Sequence, residues 1–212
     1  MRMKYREQTI DEFTAALGSN APTPGGGGAA ALCASLGAAL SSMVCRVTKA
    51  KPNFKGDVKL CDDIIMRAEK LRDILLNEID ADADAFDFLM EAYRSPKSTD
   101  DEKEKRKALI QERLIFAAEA PLRAMRAVCE TVDLLAALKD ISSRDVISDV
   151  AVGASLCKAA LSGASITVYI NAALLTDAEK KAYYVNAADE MLGRYGEIAD
   201  RLFIELKSLI LD

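Results

Sequence analysis

The 212 residues contain no histidine at all. Imidazole is the usual ligand of catalytic zinc and the usual partner of a Ser or Cys nucleophile, so its absence removes the ordinary parts of both chemistries. Acid–base work is left to Asp, Glu, Lys, Tyr or Cys, and no metal-ligand set is visible. Positive charge is not in excess either: 28 Lys and Arg against 33 Asp and Glu give a net charge of −5. A nucleic-acid partner is therefore not expected, because phosphate backbones are held by surplus Lys and Arg. The five cysteines (Cys33, Cys45, Cys61, Cys129 and Cys157) are odd in number, widely spaced and never in a CxxC pair, and they read as reduced, buried small hydrophobes. The N-terminus carries Arg2, Lys4, Arg6 and Glu7 in place of an apolar leader, which predicts a cytoplasmic chain.

Charge is also missing over the whole stretch from Ala15 to Cys45. Length alone raises the prospect of a membrane span, but Pro22, Pro24 and the run of four glycines from Gly25 to Gly28 interrupt it, and the remainder from Ala29 is mostly Ala, Ser and Gly. The composition predicts a central buried helix, small on every side and open to close approach by its neighbours.

What is present is helical periodicity. Thr9 with Glu12, Thr99 with Glu102 and Thr176 with Glu179 have the Thr-x-x-Glu spacing of a capping box, and each predicts a helix start. The first helix should end near Gly18, and the last should run almost to Asp212. Between them, Ile64, Ala68, Leu71, Leu75, Ile79, Phe86, Leu89 and Tyr93 form one stripe of a long helix from about Asp57 to Tyr93. Pro121 predicts a split or a new start in the following helix. Ser148 predicts an N-cap for a helix ending near Gly163, with another from Ile166 to Leu175. No segment alternates between hairpin turns. The expected fold is all-α, a single domain over 1–212, arranged as a multihelical bundle or array of long amphipathic helices that forms a dimer.

Chemistry is concentrated in a few places. Pro22-Thr23-Pro24-Gly25-Gly26-Gly27-Gly28 leads directly into a helix N-terminus, a setting that suits a carboxylate, a phosphate or a polar heterocycle, or else serves as a tight linker. It lacks the Lys-Ser/Thr of a nucleotide P-loop. Asp82 falls on the core stripe about 40° from Phe86 at 100° per residue, whereas Asp84 falls on the opposite face. A carboxylate there is either paired or a site group with a shifted pKa. Ser148-Asp149 reads as ordinary capping and dipole complementation or as part of a site. Arg46, Lys49, Lys51 and Lys55, and separately Lys97, are either a solvated face or receivers of a substrate carboxylate.

Taken in order, Ser19-x-x-Pro-Thr-Pro-Gly-Gly-Gly running into Gly37, Ala38, Ala39, Leu40 and Met43-Val44, then Asp82-Ala83-Asp84-Ala85-Phe86, Pro96-Lys97, Pro121-Leu122, Ser148-Asp149 and Val168-Tyr169-Ile170-Asn171, resemble the formiminotetrahydrofolate cyclodeaminase and methenyltetrahydrofolate cyclohydrolase family over nearly the whole chain. The resemblance implies an all-helical homodimer with no metal or nucleotide cofactor. Its substrate would be a tetrahydrofolate derivative, with cyclodeamination (ammonia release to methenyltetrahydrofolate) the first reading and hydrolysis of methenyltetrahydrofolate to formyltetrahydrofolate the second. It implies Asp82 as the acid–base group and Asp149 as its partner, or the reverse. The Pro22, Pro24, Gly25, Gly26 and Gly27 turn would shape the pterin pocket with Ser19 and Ser148 beside it, Asn171 would bond the ring, and Lys51 or Lys97 would meet the glutamate tail. The chain departs from the family pattern at Gly28 (usually Ser), Ser143 (usually Asn) and Thr167 (usually Asn). These departures favour, as a reading of another class, a helical dimer that binds folate without turning it over.

Overall fold

A computed structural model describes residues 3–212; Met1 and Arg2, the latter among the N-terminal charges noted above, lie outside the described residues. After a short 3₁₀ turn (Tyr5–Glu7) come α1 (Ile10–Leu17), α2 (Gly26–Lys49), α3 (Val58–Arg94), α4 (Asp100–Leu138), α5 (Ile147–Ala173) and α6 (Ala178–Leu211), with no strand among the described residues. The all-α expectation is borne out.

Local chemistry sets most of the starts. Thr9 and Thr99 each close a full capping box with the glutamate three residues on. Asp57 caps α3 by accepting from the N–H groups of Lys59 and Leu60. The third box does not form. Asp177 caps α6, accepting from Glu179 and Lys180, and Thr176 turns instead to the side chain of Gln111 on α4. A carboxylate is the stronger acceptor at a helix N-terminus, which it also favours by charge.

Three further boundaries differ from the expectation. Pro121 lies inside an unbroken, 39-residue α4, buried between Ala120 and Leu122. Burial of the flanking turns offsets the lost N–H bond, since tertiary packing overrides local propensity. Ser148 is not a cap: α5 starts at Ile147 behind Val146, which offers no side-chain bond. Nor does α5 stop at Gly163. That glycine brings α5 against α2, where an added Cβ would stand 3.3 Å from the Cβ of Ala30.

Helices α2, α3, α4 and α5 form a four-helix core with α6 laid along α4 and α5. The antiparallel α2–α5 contact runs through small residues: a Cβ at Gly37 would come within 2.7 Å of Cys157 Sγ and 3.3 Å of the Gly153 carbonyl oxygen. Opposite, Glu78 of α3 meets Arg123 of α4, and Phe88 meets Phe116 with ring centroids 6.1 Å apart. Helix α2 is central, as expected, but not covered on every side. Leu36 is 49% exposed, and on α5 Val152 is 49%, Ile166 65% and Ile170 64% exposed. Leu36 and Val152 each precede the glycine that packs the two helices together, so both stripes open on one side of the molecule. Helices α2 and α5 are long and apolar enough to cross a membrane, yet 61% and 50% of their most apolar windows are buried inside the fold.

Candidate active site

Helix α2 begins without a side-chain cap, because Gly25 has none to offer. Its first-turn N–H groups need acceptors. Asp82, reaching over from α3, supplies one: Gly28 N–H donates to its Oδ2 at 3.1 Å. The carboxyl lies flat on the backbone of Gly27, where a Cβ would come within 2.6 Å of Oδ2. Gly27 must therefore be glycine for Asp82 to sit where it does. Gly28 is under no such constraint, since a Cβ there would meet Ile79 Cγ2 at 3.5 Å and Pro24 Cβ at 3.7 Å, ordinary contacts.

Burial pushes the Asp82 carboxyl up to about 6 from an ordinary 3.8. The Gly28 bond works against that rise, and the negative charge of Glu78, one turn earlier on α3, adds to it. Such a group gives and takes protons near neutrality. Burial lifts the Cys45 and Cys129 thiols to about 12, which removes both as nucleophiles at neutral pH.

The entry turn is braced from the N-terminal segment. Tyr5 Oη and Thr23 Oγ1 are 3.0 Å apart, and Tyr5 N–H donates to Asp80 Oδ1 at 2.7 Å. Pro24 is buried behind a cis Thr23–Pro24 bond, while Pro22 is exposed. Ser19 is a turn residue, donating to the carbonyl of Ala16 at 2.7 Å and accepting from the N–H of Ala21 at 3.1 Å. Asn171 sits at this same end of the core. Its amide nitrogen donates to the carbonyls of Ala117 (3.1 Å) and Thr167 (2.9 Å), tying α5 to α4 at this level.

The remaining candidates lie elsewhere in the chain. Gly163 beside Ala30, Gly153 beside Gly37, and Ser143 bonded to Thr48 fix the α2–α5 register. Asp149 accordingly stands roughly 24 Å along the axis from Gly27, at 1.5 Å per residue. Within one chain the expected Asp82–Asp149 pair does not form. Asp149 and Ser148 occupy the first turn of α5, close to a cavity of about 350 Å³ lined by Thr48, Lys51, Phe54, Lys55, Ser143 and Asp145. Lys51 is paired there with Asp145, and Ser143 Oγ is buried without a partner. Lys97 is on the exposed α3–α4 loop, roughly 20 Å beyond Asp82 along the helix axis.

Known proteins match this architecture along nearly its full length. The family model described as Formiminotransferase-cyclodeaminase covers residues 9–190. A methenyltetrahydrofolate cyclohydrolase of Methylorubrum extorquens is 38% identical over 206 residues, spanning 96% of this chain and 98% of the relative. The chain belongs to the formiminotransferase-cyclodeaminase family. The formimidoyltransferase-cyclodeaminase of Gallus gallus is 36% identical over 172 residues, 81% of this chain but only 32% of that longer protein. A crystal structure of formiminotetrahydrofolate cyclodeaminase from Thermotoga maritima has a TM-score of 0.87 at 23% identity, covering 98% of this chain and all of that one, and it establishes the shared fold.

One element of this family member's site escaped sequence reading: the fork between Arg123 and Glu78, with Nε to Oε1 at 3.0 Å and Nη2 to Oε2 at 2.9 Å. Its signal was present. Leu71, Leu75, Glu78 and Asp82 continue one stripe at spacings of four, three and four, so Glu78 shares the buried face that made Asp82 conspicuous.

Proposed function

We propose that this chain works on the methenyl bridge of a one-carbon unit carried by tetrahydrofolate, with Asp82 as the proton carrier. The observation that carries this reading is a carboxyl titrating near 6, held on the bare backbone of Gly27 at the open end of α2. In the hydrolytic direction Asp82, mostly ionised at pH 7, takes a proton from the water that adds to the methenyl carbon. It returns that proton to the ring nitrogen as the bridge opens, while the second proton of the added water is released to solvent as the carbinol becomes the formyl C=O, carrying away the positive charge of the methenyl bridge. In cyclodeamination the same group takes the proton from the attacking nitrogen and delivers it to departing ammonia. The full-length relative from Methylorubrum extorquens favours hydrolysis. Cyclodeamination, the first reading from the sequence, becomes the second, favoured by the match to the chicken protein. Neither direction calls for a cofactor beyond the folate, because each is a sequence of proton transfers around one carbon.

The uncovered apolar face of α2 and α5 supports a homodimer. A two-fold axis crossing α2 near Leu36 at right angles sets the Asp82 end of one protomer against the Lys51–Asp149 end of the other. That arrangement unites the proton carrier with a cationic cavity for the glutamate tail, two features that one chain holds far apart. A cytoplasmic setting accords with five cysteines that are all free.

Purified protein is incubated separately with methenyltetrahydrofolate and formiminotetrahydrofolate, following methenyl absorbance and ammonia. Accelerated loss of the methenyl band supports the hydrolase, and its appearance with equimolar ammonia supports the cyclodeaminase. Tight folate binding with neither change would identify the non-catalytic dimer instead.

A further inference from the structure

The fork between Glu78 and Arg123 lies one helical turn below the candidate proton carrier and has no part in the chemistry just described. Glu78 is only 9% exposed, and both of its oxygens are taken by one guanidinium. A carboxylate at that depth is costly unless a cation holds it ionised. Arg123 does so from α4, with its own side chain 37% exposed, so the cation keeps part of its hydration while the anion does not. The pair is neutral as a whole, but its carboxylate end lies on the face of α3 that Asp82 shares at i+4, while its guanidinium end comes from α4.

Among the described residues, Asp82 has few other charged neighbours. No residue from Ala15 to Cys45 is charged, so α2 contributes none. The facing stretch of α5, Ser162–Ala173, is also uncharged. On α3 itself Asp80, Asp84 and Asp87 point roughly 140–160° away from Asp82 at 100° per residue. On α4, Glu119 is engaged by Arg126 at 2.7 Å. From the N-terminal segment, Arg6 is bonded to Asn77. Glu78 is the charge on the same face of α3, one turn away, that acts on Asp82.

We propose that the Glu78–Arg123 pair is a positioning device for Asp82, holding a fixed negative charge one turn from the carboxyl that shuttles the proton. The fork locks α3 against α4 at the level of the site, with both Glu78 oxygens held by Arg123. Burial does most to raise the proton affinity of Asp82, and the Glu78 charge adds to it, making Asp82 a better base. This rests on the reading of Asp82 given above, and its test separates the two.

Asp82 is titrated directly by carbon NMR of Asp-labelled protein, with Asp82→Asn used to assign its carboxyl signal. Glu78→Gln is expected to lower the midpoint by about one pH unit, and Arg123→Lys, which keeps the cation, by a few tenths at most. Should Glu78→Gln fail to fold, the double variant Glu78→Gln/Arg123→Gln removes the pair as a neutral unit and is expected to lower the midpoint in the same direction. An unchanged midpoint in a folded variant overturns the proposal, and a lowered melting temperature with that unchanged midpoint marks the pair as structural only. The acid limb of the pH–rate profile should move with the midpoint. If the NMR midpoint moves while the rate profile stays, the influence of the pair on Asp82 stands and the proton-carrier reading falls.

Discussion

Replacing Asp82 by Asn should make the protein more stable at neutral pH while disabling it. The Asp82 carboxyl, ordinarily at 3.8, titrates at about 6 in the fold, because burial penalises its charged form. Each pH unit is worth about 1.4 kcal/mol, so ionising this group in place costs about 3 kcal/mol. Because the folded value is raised, the favourable contribution is complete below 3.8 and is lost as pH rises through 6. Asparagine never pays that cost, and its amide oxygen can still accept the Gly28 N–H. The variant should therefore melt close to wild type at pH 4 and roughly 6–12 °C higher at pH 7.5, taking about 2–4 °C per kcal/mol for a chain of this size. Asp84→Asn, at an exposed position on the same helix, should leave both melts unchanged. Thermal denaturation of the three proteins from pH 4 to pH 8 measures this. An Asp82→Asn protein destabilised by about 3–5 kcal/mol at pH 7.5 would show that the carboxylate is a paired structural ion and refute the reasoning.

Gly27→Ala should displace the Asp82 carboxyl and lower turnover at least about tenfold, whereas Gly28→Ser should fold normally and turn over no more slowly, as steady-state rates with matched melts will show. Gly37→Ala should cost about 1–3 kcal/mol in a denaturant titration through its clash with Cys157 Sγ, and adding Cys157→Ala should recover most of it. Leu36→Asp should give a monomer by light scattering and abolish activity if the site is shared between protomers. Mixing inactive Asp82→Asn and Lys51→Ala proteins should then restore up to about a quarter of wild-type turnover, because one of the two sites in each mixed dimer is intact.

Much of the fold was legible because helix signals are local. The boxes at Thr9 and Thr99 and the stripe from Ile64 to Leu89 act within a few turns and meet no stronger competitor. The misread signals each had one. The Asp177 carboxylate displaced Thr176, packing carried α4 through Pro121, and the contact with Ala30 gave Gly163 a reason to exist inside a helix. At the candidate site Asp82 stood out, since an acid on an apolar stripe needs an explanation, although Glu78 on the same stripe went unread. Its seat on Gly27 depended on how α3 docks on α2, which no local pattern carries. Likewise, the separation of Asp82 from Asp149 follows from the antiparallel register of α2 and α5, set by glycine contacts far apart in sequence. The arginine that holds Glu78 comes from another helix and could not have been assigned from spacing.

The central claim, that Asp82 carries the proton in methenyl-bridge chemistry, is tested most directly by the pH dependence of methenyltetrahydrofolate hydrolysis in wild type, Asp82→Asn and Asp84→Asn. Wild type and Asp84→Asn should share an acid limb near pH 6, falling tenfold per unit below it, with Asp82→Asn slower by roughly two to four orders of magnitude and lacking that limb. Equal, mild effects from both substitutions, with the limb retained in Asp82→Asn, would contradict the account and move the proton-transfer role to another carboxylate, Asp149 first.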